Sequence, residues 1–124
     1  MAQLQRIVLF VRNSAKASQF YSCLGLKTLV ETPSRISMSI GTEQSNIVLD
    51  LQETYSEAHL STGYNPILHF RVKNIDDIIP TTLQLGATLD SSIERNNVAT
   101  VATIRSPDGH VLSLAEYQDS ESVV

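Results

Sequence analysis

Seven residues of this sequence have side-chain types and positions that could form a pocket for a small molecule. Two of them are arginines, whose guanidinium groups bind carboxylates and phosphates through paired hydrogen bonds. A histidine could act as a general base, and an aspartate and a serine supply further polar atoms. An aromatic and an aliphatic residue could form the apolar wall that is typical of ligand pockets. The seven are Arg6, Phe10, Asp50, Ile67, His69, Arg71 and Ser113.

Alternation along strand-like segments places these residues on the sheet faces that do not pack against a helix. Successive side chains of a strand point to opposite faces of its sheet, and the more apolar face packs on a helix. In the segment 66–72, the apolar face begins at Leu68. The opposite face of this segment therefore carries Ile67, His69 and Arg71. By the same alternation, the opposite faces of the segments 4–11, 46–52 and 110–117 carry Arg6, Phe10, Asp50 and Ser113.

A weak internal repeat supports this arrangement, at an offset of 61 residues from Val11 to Val72. Each copy contains an asparagine suited to cap the start of a helix, and a glycine suited to the positive φ beyond its end. Between them, apolar residues recur three and four positions apart, which predicts an amphipathic helix in each copy. Pro80 should kink the second helix or delay its start. The matching residues are Val11, Asn13, Leu24 and Gly25, and Val72, Asn74, Leu85 and Gly86.

Each predicted helix follows one strand-like segment and precedes three more, which predicts an α+β fold. The two βαβββ modules would form a mixed sheet that curls into a cup. The later strands are expected at 26–32, 35–41 and 46–52, and at 87–94, 97–105 and 110–117, the last two joined by a turn at 106–109. We expect one domain over 1–124, with module one at about 3–52, a connector at 53–64, module two at about 65–117 and a frayed tail at 118–124.

The composition argues against several classes of partner. A formal net charge of −4 gives no basic surface for a nucleic-acid backbone. The sequence contains no run of about 18 apolar residues, so we expect no membrane span. The single cysteine, Cys23, cannot form a disulfide within the chain, and a reducing, cytoplasmic setting is therefore the expectation.

Three stretches of the sequence resemble the vicinal oxygen chelate superfamily, which includes glyoxalases, bleomycin- and fosfomycin-resistance proteins and extradiol dioxygenases. They are RIVLFVRNSAKASQFYSCLGL at 6–26, HFRVKNIDDI and its following LG at 69–86, and SPDGHVLSLAEY at 106–117. The resemblance implies paired βαβββ modules around an open cup, known as the glyoxalase/bleomycin-resistance fold. It also implies a homodimer and a small-molecule ligand.

The metal-dependent members of this superfamily use four ligand positions, and the resemblance carries these onto Arg6, Asp50, Ile67 and Ser113. Only Asp50 readily ligates a divalent metal, because arginine is cationic and isoleucine has no donor atom. We therefore predict that the usual metal site is absent and that an Arg6–Asp50 ion pair across the cup replaces it. A weaker alternative is a divalent metal held by Asp50 and His69, which lies on the same face as Ile67 at about 6–7 Å.

Three functions remain open at this point. The first is a module that binds a small, anionic organic ligand through Arg6 and Arg71. The second is a lyase or isomerase of the glyoxalase type, with His69 as the general base and an arginine that stabilises the enolate oxygen. In the third, the surface of the dimer carries the function and the cup is vestigial. We expect His59, in the connector, and His110, after a turn, to face solvent.

Overall fold

A computed structural model describes residues 3–40, 47–63 and 66–118. The chain divides into two compact units, Met1–Ser61 and Thr62–Val124, which we call unit one and unit two. The elements of unit one are β1 (Arg6–Val11), α1 (Ser14–Ser22), β2 (Lys27–Thr32), β3 (Arg35–Ser39), β4 (Val48–Glu53) and α2 (Glu57–Leu60). Residues 41–46, which include parts of two predicted strands, lie outside the described residues.

The four strands of unit one form a mixed sheet in the order β1-β4-β3-β2. The first strand pairs in parallel with β4, and the other two pairs are antiparallel. Apolar residues recur at alternate positions along β1 and β4, so these side chains share one face of the sheet. This face supplies core residues such as Leu9, Val11, Leu49 and Leu51. The faces predicted from alternation are therefore correct for β1 and β4.

Helix α1 has the local signals that the sequence predicted. The Asn13 side chain accepts a hydrogen bond of 2.8 Å from the backbone N–H of Lys16, which caps the first turn. Phe20 and Tyr21 are buried on the apolar stripe, where α1 packs on its sheet. The chain leaves the helix through Gly25, whose φ of 97° is accessible to glycine at little cost.

Unit two repeats this plan with a more broken sheet. Its elements are β5 (Ile67–Arg71), α3 (Ile75–Gln84), β6 (Thr88–Leu89), β7 (Glu94–Arg95), β8 (Ala99–Arg105) and β9 (Val111–Tyr117). The strand order is β5-β9-β8-β6, and β7 also pairs with β8. The strand predicted at 87–94 is therefore wrong as one element, because two short strands pair separately with β8. The predicted turn before β9 is present, since the Gly109 N–H donates to the Ser106 carbonyl at 2.9 Å.

Helix α3 begins differently from its counterpart. Asn74 has a φ of 58°, in the left-handed region, and its side chain makes no capping hydrogen bond. The prediction of a side-chain cap at Asn74 is therefore wrong, because a left-handed residue does not have the extended backbone of a typical N-cap. Pro80 lies inside α3, and the helix begins at Ile75, so the start is not delayed.

A glutamate on the last strand of each unit satisfies the first N–H of the helix. Glu53 on β4 accepts a hydrogen bond of 2.9 Å from the Ser14 N–H. Glu116 on β9 accepts one of 3.0 Å from the Ile75 N–H. The first N–H groups of a helix have no partner within it, and negative charge is favoured at this end. The internal repeat thus extends to how each helix is tied to its sheet.

The predicted connector and tail contain more structure than the sequence suggested. Glu53 belongs to β4, and the short helix α2 lies within the segment expected to be irregular. Gln118, the first residue of the predicted tail, donates its backbone N–H to the Val98 carbonyl at 2.8 Å. Residues 119–124 lie outside the described residues. Among the helices that the structure describes, none is long and apolar enough to cross a membrane.

Candidate functional site

In unit one, the register of the sheet places predicted site residues on one face. Val8 lies directly opposite Asp50 across the β1–β4 ladder, and Ser37 lies opposite Asp50 across the β3–β4 ladder. Residues paired in this way share a face, and alternation adds Arg6 and Phe10 to it. This surface, which we call the Asp50 face, is the one turned away from the apolar core of the sheet.

Both oxygens of the Asp50 carboxylate accept hydrogen bonds from protein donors. Ser37 donates its hydroxyl to Oδ1 at 2.6 Å, and Arg6 donates from a guanidinium nitrogen to Oδ2 at 2.5 Å. Asp50 is almost completely buried, whereas the Arg6 side chain is 41% exposed. The predicted Arg6–Asp50 ion pair is thus present, but it joins neighbouring strands of one sheet.

The pKa of Asp50 results from opposing effects. Burial raises it, but hydrogen bonds from Ser37 and Arg6 and the positive charges of Arg6 and Arg35 lower it, and the net pKa lies below the usual value for aspartate. Asp50 is therefore ionised at neutral pH. Its charge is neutralised by the guanidinium group that holds it.

Arg35 and Ser37 are residues of the Asp50 face that sequence reasoning missed. Arg35 lies opposite Gln52 across the β3–β4 ladder, two residues from Ser37 on the same strand. The half-buried Arg35 is close enough to Asp50 to lower its pKa. Arg35 and Ser37 alternate with apolar residues in a strand-like segment, and this pattern could have assigned both to the polar face of the sheet.

Phe10, expected as an apolar wall, is partly covered by the connector. The His59 ring stacks on the Phe10 ring, with centroids 4.4 Å apart and an interplanar angle of 16°. His59 Nδ1 lies 3.2 Å from the Thr54 hydroxyl. His59 is exposed, as predicted, but it lies on a predicted site residue because helix α2 returns to the end of β1.

In unit two, the predicted residues of β5 and β9 also share one face. Ile67, His69 and Arg71 lie opposite Val111, Ser113 and Ala115 in the parallel ladder. His69 Nδ1 lies 3.0 Å from the Ser113 hydroxyl, and Nε2 lies 3.2 Å from the Tyr117 hydroxyl. We call this surface the His69 face. It brings together every site residue predicted in unit two.

Tyr117 is the residue of the His69 face that sequence reasoning missed. The guanidinium carbon of Arg71 lies 5.0 Å from the centroid of the Tyr117 ring, within the range of a cation–π interaction. Tyr117 is half-buried, whereas His69 and Arg71 are exposed. Ile67 adds an apolar surface that is 52% exposed. Tyr117 alternates with Ser113 along the last strand, which was the available signal.

His110 is not the solvent-facing residue that the sequence predicted. It is half-buried beside the turn, and its backbone N–H donates to the Ser106 hydroxyl at 3.1 Å. Burial lowers the pKa of His110 and the charge of Asp108 raises it, and the net shift is downward. His110 and Ser106 close the turn between β8 and β9, since the Ser106 N–H also donates to the His110 carbonyl at 2.8 Å.

A comparison with known families now identifies the chain. The model of the Glyoxalase/Bleomycin resistance protein/Dioxygenase superfamily matches residues 3–114. The chain belongs to this superfamily. No curated protein matches the chain.

Solved structures of the superfamily have the same fold at low sequence identity. A family enzyme from Burkholderia phytofirmans PsJN is 18% identical, with a TM-score of 0.74, and the match covers 93% of this chain and 98% of that one. A glyoxalase family protein from Bacillus cereus is 18% identical, with a TM-score of 0.73 and 96% of each chain covered. The fosfomycin resistance protein FosX from Mesorhizobium loti is 14% identical, with a TM-score of 0.71 and coverages of 94% and 92%. These matches confirm the predicted fold class.

The residues at the four metal positions implied by the superfamily do not fit a divalent metal. Arg6 and Ile67 offer no lone pair, Ser113 is a neutral hydroxyl, and Asp50 already accepts from two donors. Within residues 3–40, 47–63 and 66–118, no three histidine, cysteine or acidic side chains are grouped so that they could hold a metal ion. A zinc site normally has three or four protein ligands.

Proposed function

We propose that this superfamily member binds a small, anionic organic ligand on its open sheet faces without the metal of the metal-dependent members. The single observation that carries the proposal is the engagement of Asp50 by Ser37 and Arg6. Because the guanidinium group of Arg6 already neutralises the Asp50 carboxylate, a divalent cation would have to displace Arg6 or lie beside a permanent positive charge. The same ion pair holds this guanidinium group in a fixed place.

The Asp50 face has the charge that an anion requires. Arg6 and Arg35 are positive and Asp50 is negative, so these three groups leave one positive charge in excess. Asp50 is buried, whereas Arg6 remains 41% exposed and can present its other N–H groups to a ligand. Asp50 thus acts as a positioning residue, and Arg6 is the group that meets the anion.

The His69 face offers a second guanidinium group. Arg71 is exposed and rests on the Tyr117 ring, which restricts the side chain. Restriction before binding lowers the entropy that a ligand must remove from the side chain. Ile67, with half of its surface exposed, supplies an apolar neighbour for the organic part of the ligand.

Thermal shifts of the purified chain test the binding of anions. Acetate, benzoate and inorganic phosphate should raise the melting temperature by several degrees at concentrations well above Kd, and choline should not. Arg6→Gln and Arg71→Gln should each weaken the response. The matched control is Arg95→Gln, because Arg95 forms an exposed pair with Asp76. Equal responses of the three variants and the wild type would remove the proposal.

Calorimetric titration with Ni²⁺, Zn²⁺ and Mg²⁺ tests the claim about the metal. We expect no stoichiometric binding that depends on Asp50. One equivalent of metal, bound by the wild type and lost in Asp50→Asn, would show that the Arg6–Asp50 pair opens to admit an ion.

A lyase or isomerase of the glyoxalase type is the second candidate, favoured by the exposed position of His69. In this function His69 is the general base, and Arg71, held beside it on Tyr117, stabilises the enolate oxygen. Turnover in a glyoxalase assay that is lost in His69→Gln would support it. Stimulation of that turnover by added metal would contradict the metal-free proposal.

We also propose a homodimer in the cytoplasm, in line with the expectation from the sequence. Sedimentation equilibrium at several protein concentrations tests the dimer. A single species with the mass of one chain at every concentration would contradict it. That the Asp50 face and the His69 face line one cup stays a prediction.

A further inference from the structure

The two hydroxyl groups that contact His69 play different roles when the ring is neutral. A neutral imidazole has one N–H and one lone pair, so it donates one hydrogen bond and accepts one. Nδ1 faces the Ser113 hydroxyl and Nε2 faces the Tyr117 hydroxyl. One hydroxyl must therefore donate to the ring, while the other accepts from it and keeps its own proton for a third group.

The choice of tautomer decides which hydroxyl keeps its proton. If Nδ1 carries the hydrogen, Tyr117 donates to Nε2, and the Ser113 hydroxyl can donate its proton to another group. If Nε2 carries the hydrogen, Ser113 donates to Nδ1, and the Tyr117 hydroxyl can donate its proton to another group. A hydrogen-bond acceptor placed at the Tyr117 hydroxyl would select the second arrangement, because only then does Tyr117 have a proton to donate.

Arg71 determines what kind of molecule would place an acceptor there. Its guanidinium carbon lies 5.0 Å from the centroid of the same tyrosine ring. An anion bound to Arg71 therefore lies near Tyr117. A ligand with a second oxygen close to its carboxylate could accept from the Tyr117 hydroxyl and from Arg71 at once.

The geometry points to Tyr117 as a ligand-binding residue that, with Arg71, selects carboxylates with a neighbouring carbonyl or hydroxyl oxygen, as in 2-oxo and 2-hydroxy acids. His69 and Ser113 act as positioning residues that leave the Tyr117 proton available. This inference rests on the proposed function, since it presumes that Arg71 binds an anion.

The exposure of these groups distinguishes the cluster from an ordinary element of the core. His69 and Arg71 are exposed, and Ser113 and Tyr117 are half-buried. Hydroxyl groups in a core usually bond to the backbone, whereas both hydroxyls here bond to a side chain that is open to solvent. The cluster is thus accessible to a ligand from the open side of the sheet.

Calorimetry with pyruvate and propionate tests the inference, because the two acids have equal chain length and differ in the 2-oxo group. The wild type should bind pyruvate about 3- to 10-fold more tightly than propionate, the effect of one hydrogen bond. Tyr117→Phe retains the ring beneath Arg71, so it should bind both acids with the affinity that the wild type has for propionate. Tyr55→Phe, at a side chain that is 88% exposed, is the matched control and should retain the preference.

The nitrogen chemical shifts of His69 provide a readout that a merely structural role would not change. In protein labelled with ¹⁵N at histidine, pyruvate should shift the ring toward the Nε2–H tautomer. Propionate should leave it unchanged.

The outcomes separate this inference from the proposed function. If propionate binds and Arg71→Gln abolishes binding, anion binding by this face is supported. If pyruvate then binds no better than propionate, or if Tyr117→Phe keeps the preference, the inference is overturned and the proposed function stands. If neither acid binds in a way that depends on Arg71, the proposed function fails for this face and the inference fails with it.

Discussion

Asp50 and Arg6 form an ion pair that runs from the interior of unit one to its surface, because the Asp50 side chain is 2% exposed and that of Arg6 is 41% exposed. The buried carboxylate has lost most of its hydration and depends on two protein donors. The exposed guanidinium group remains partly hydrated and depends less on the pair. Changes at Asp50 and at Arg6 should therefore have unequal effects on stability.

The stability contributed by Asp50 should disappear in acid. Its folded pKa is lowered from 3.8, so its contribution is present above that value and is lost as the pH falls through the folded pKa. Urea unfolding of the wild type and Asp50→Asn from about pH 7 to about pH 3 measures this. The difference in free energy of unfolding should be largest at neutral pH and should shrink below 3.8. A difference that does not vary with pH would contradict the lowered pKa.

Removal of Arg6 should destabilise unit one although Arg6 is half-exposed. Arg6→Met leaves the buried Asp50 carboxylate with the Ser37 hydrogen bond alone, and we expect a loss of about 1–3 kcal/mol. The double variant Arg6→Met/Asp50→Asn should be less destabilised than the sum of the single variants, because no unpaired charge remains. Strict additivity in urea unfolding would show that the two side chains do not interact.

The repeat allowed much of the fold to be predicted, because strands and helices leave different periods in a sequence. Leu9, Leu49 and Leu112 are buried on the predicted helix-side faces, and Asp50 and His69 lie on the opposite ones. These positions follow from alternation within single strands. They require no knowledge of how the strands pair.

The partners of the predicted site residues could not be found in this way. Ser37, Arg35 and Tyr117 reach Asp50, Arg71 or His69 only through the register and twist of neighbouring strands, which alternation does not determine. The break of the strand predicted at 87–94 has a similar cause, since two segments pair separately with β8. Contacts that depend on the pairing of distant strands therefore could not be predicted from the sequence alone.

The glutamates that cap the two helices should have similar effects when they are removed. Glu53→Ala and Glu116→Ala each leave the first N–H of a helix without its carboxylate acceptor, and we expect each to cost about 1 kcal/mol. Urea unfolding measures the loss. Glu94→Ala, at an exposed residue of β7, is the control and should change stability by less than about 0.5 kcal/mol. Losses no larger than that of the control would show that the caps contribute nothing.

Gly109 should not tolerate a side chain, for two reasons that can be separated. Its φ is +94°, and a Cβ atom would lie 2.7 Å from the Thr62 hydroxyl oxygen. Gly109→Ala should therefore lower the free energy of unfolding by about 1–3 kcal/mol. In a Thr62→Ala background the clash is absent, so the same substitution should cost less but still reflect the backbone strain. An unchanged cost in both backgrounds would show that Thr62 moves aside freely.

Asn13 and Asn74 match in the repeat, yet replacement by glycine should destabilise only at Asn13. Asn13 caps α1 through its side chain, so Asn13→Ala should cost about 1 kcal/mol and Asn13→Gly only a few tenths. Asn74 has a left-handed backbone with a φ of 58° and no capping bond. Asn74→Gly should therefore be neutral or slightly stabilising, whereas Asn74→Ala should cost about 1 kcal/mol because alanine resists that conformation.

Urea unfolding of the four variants tests this contrast. The decisive comparison is between the two glycine variants, since glycine removes a side-chain cap only at Asn13 and relieves a left-handed backbone only at Asn74. A loss of stability in Asn74→Gly as large as that in Asn13→Gly would mean that α3 begins with an ordinary N-cap in solution. The alanine variants show the full cost at each position, from the lost cap at Asn13 and from the backbone at Asn74.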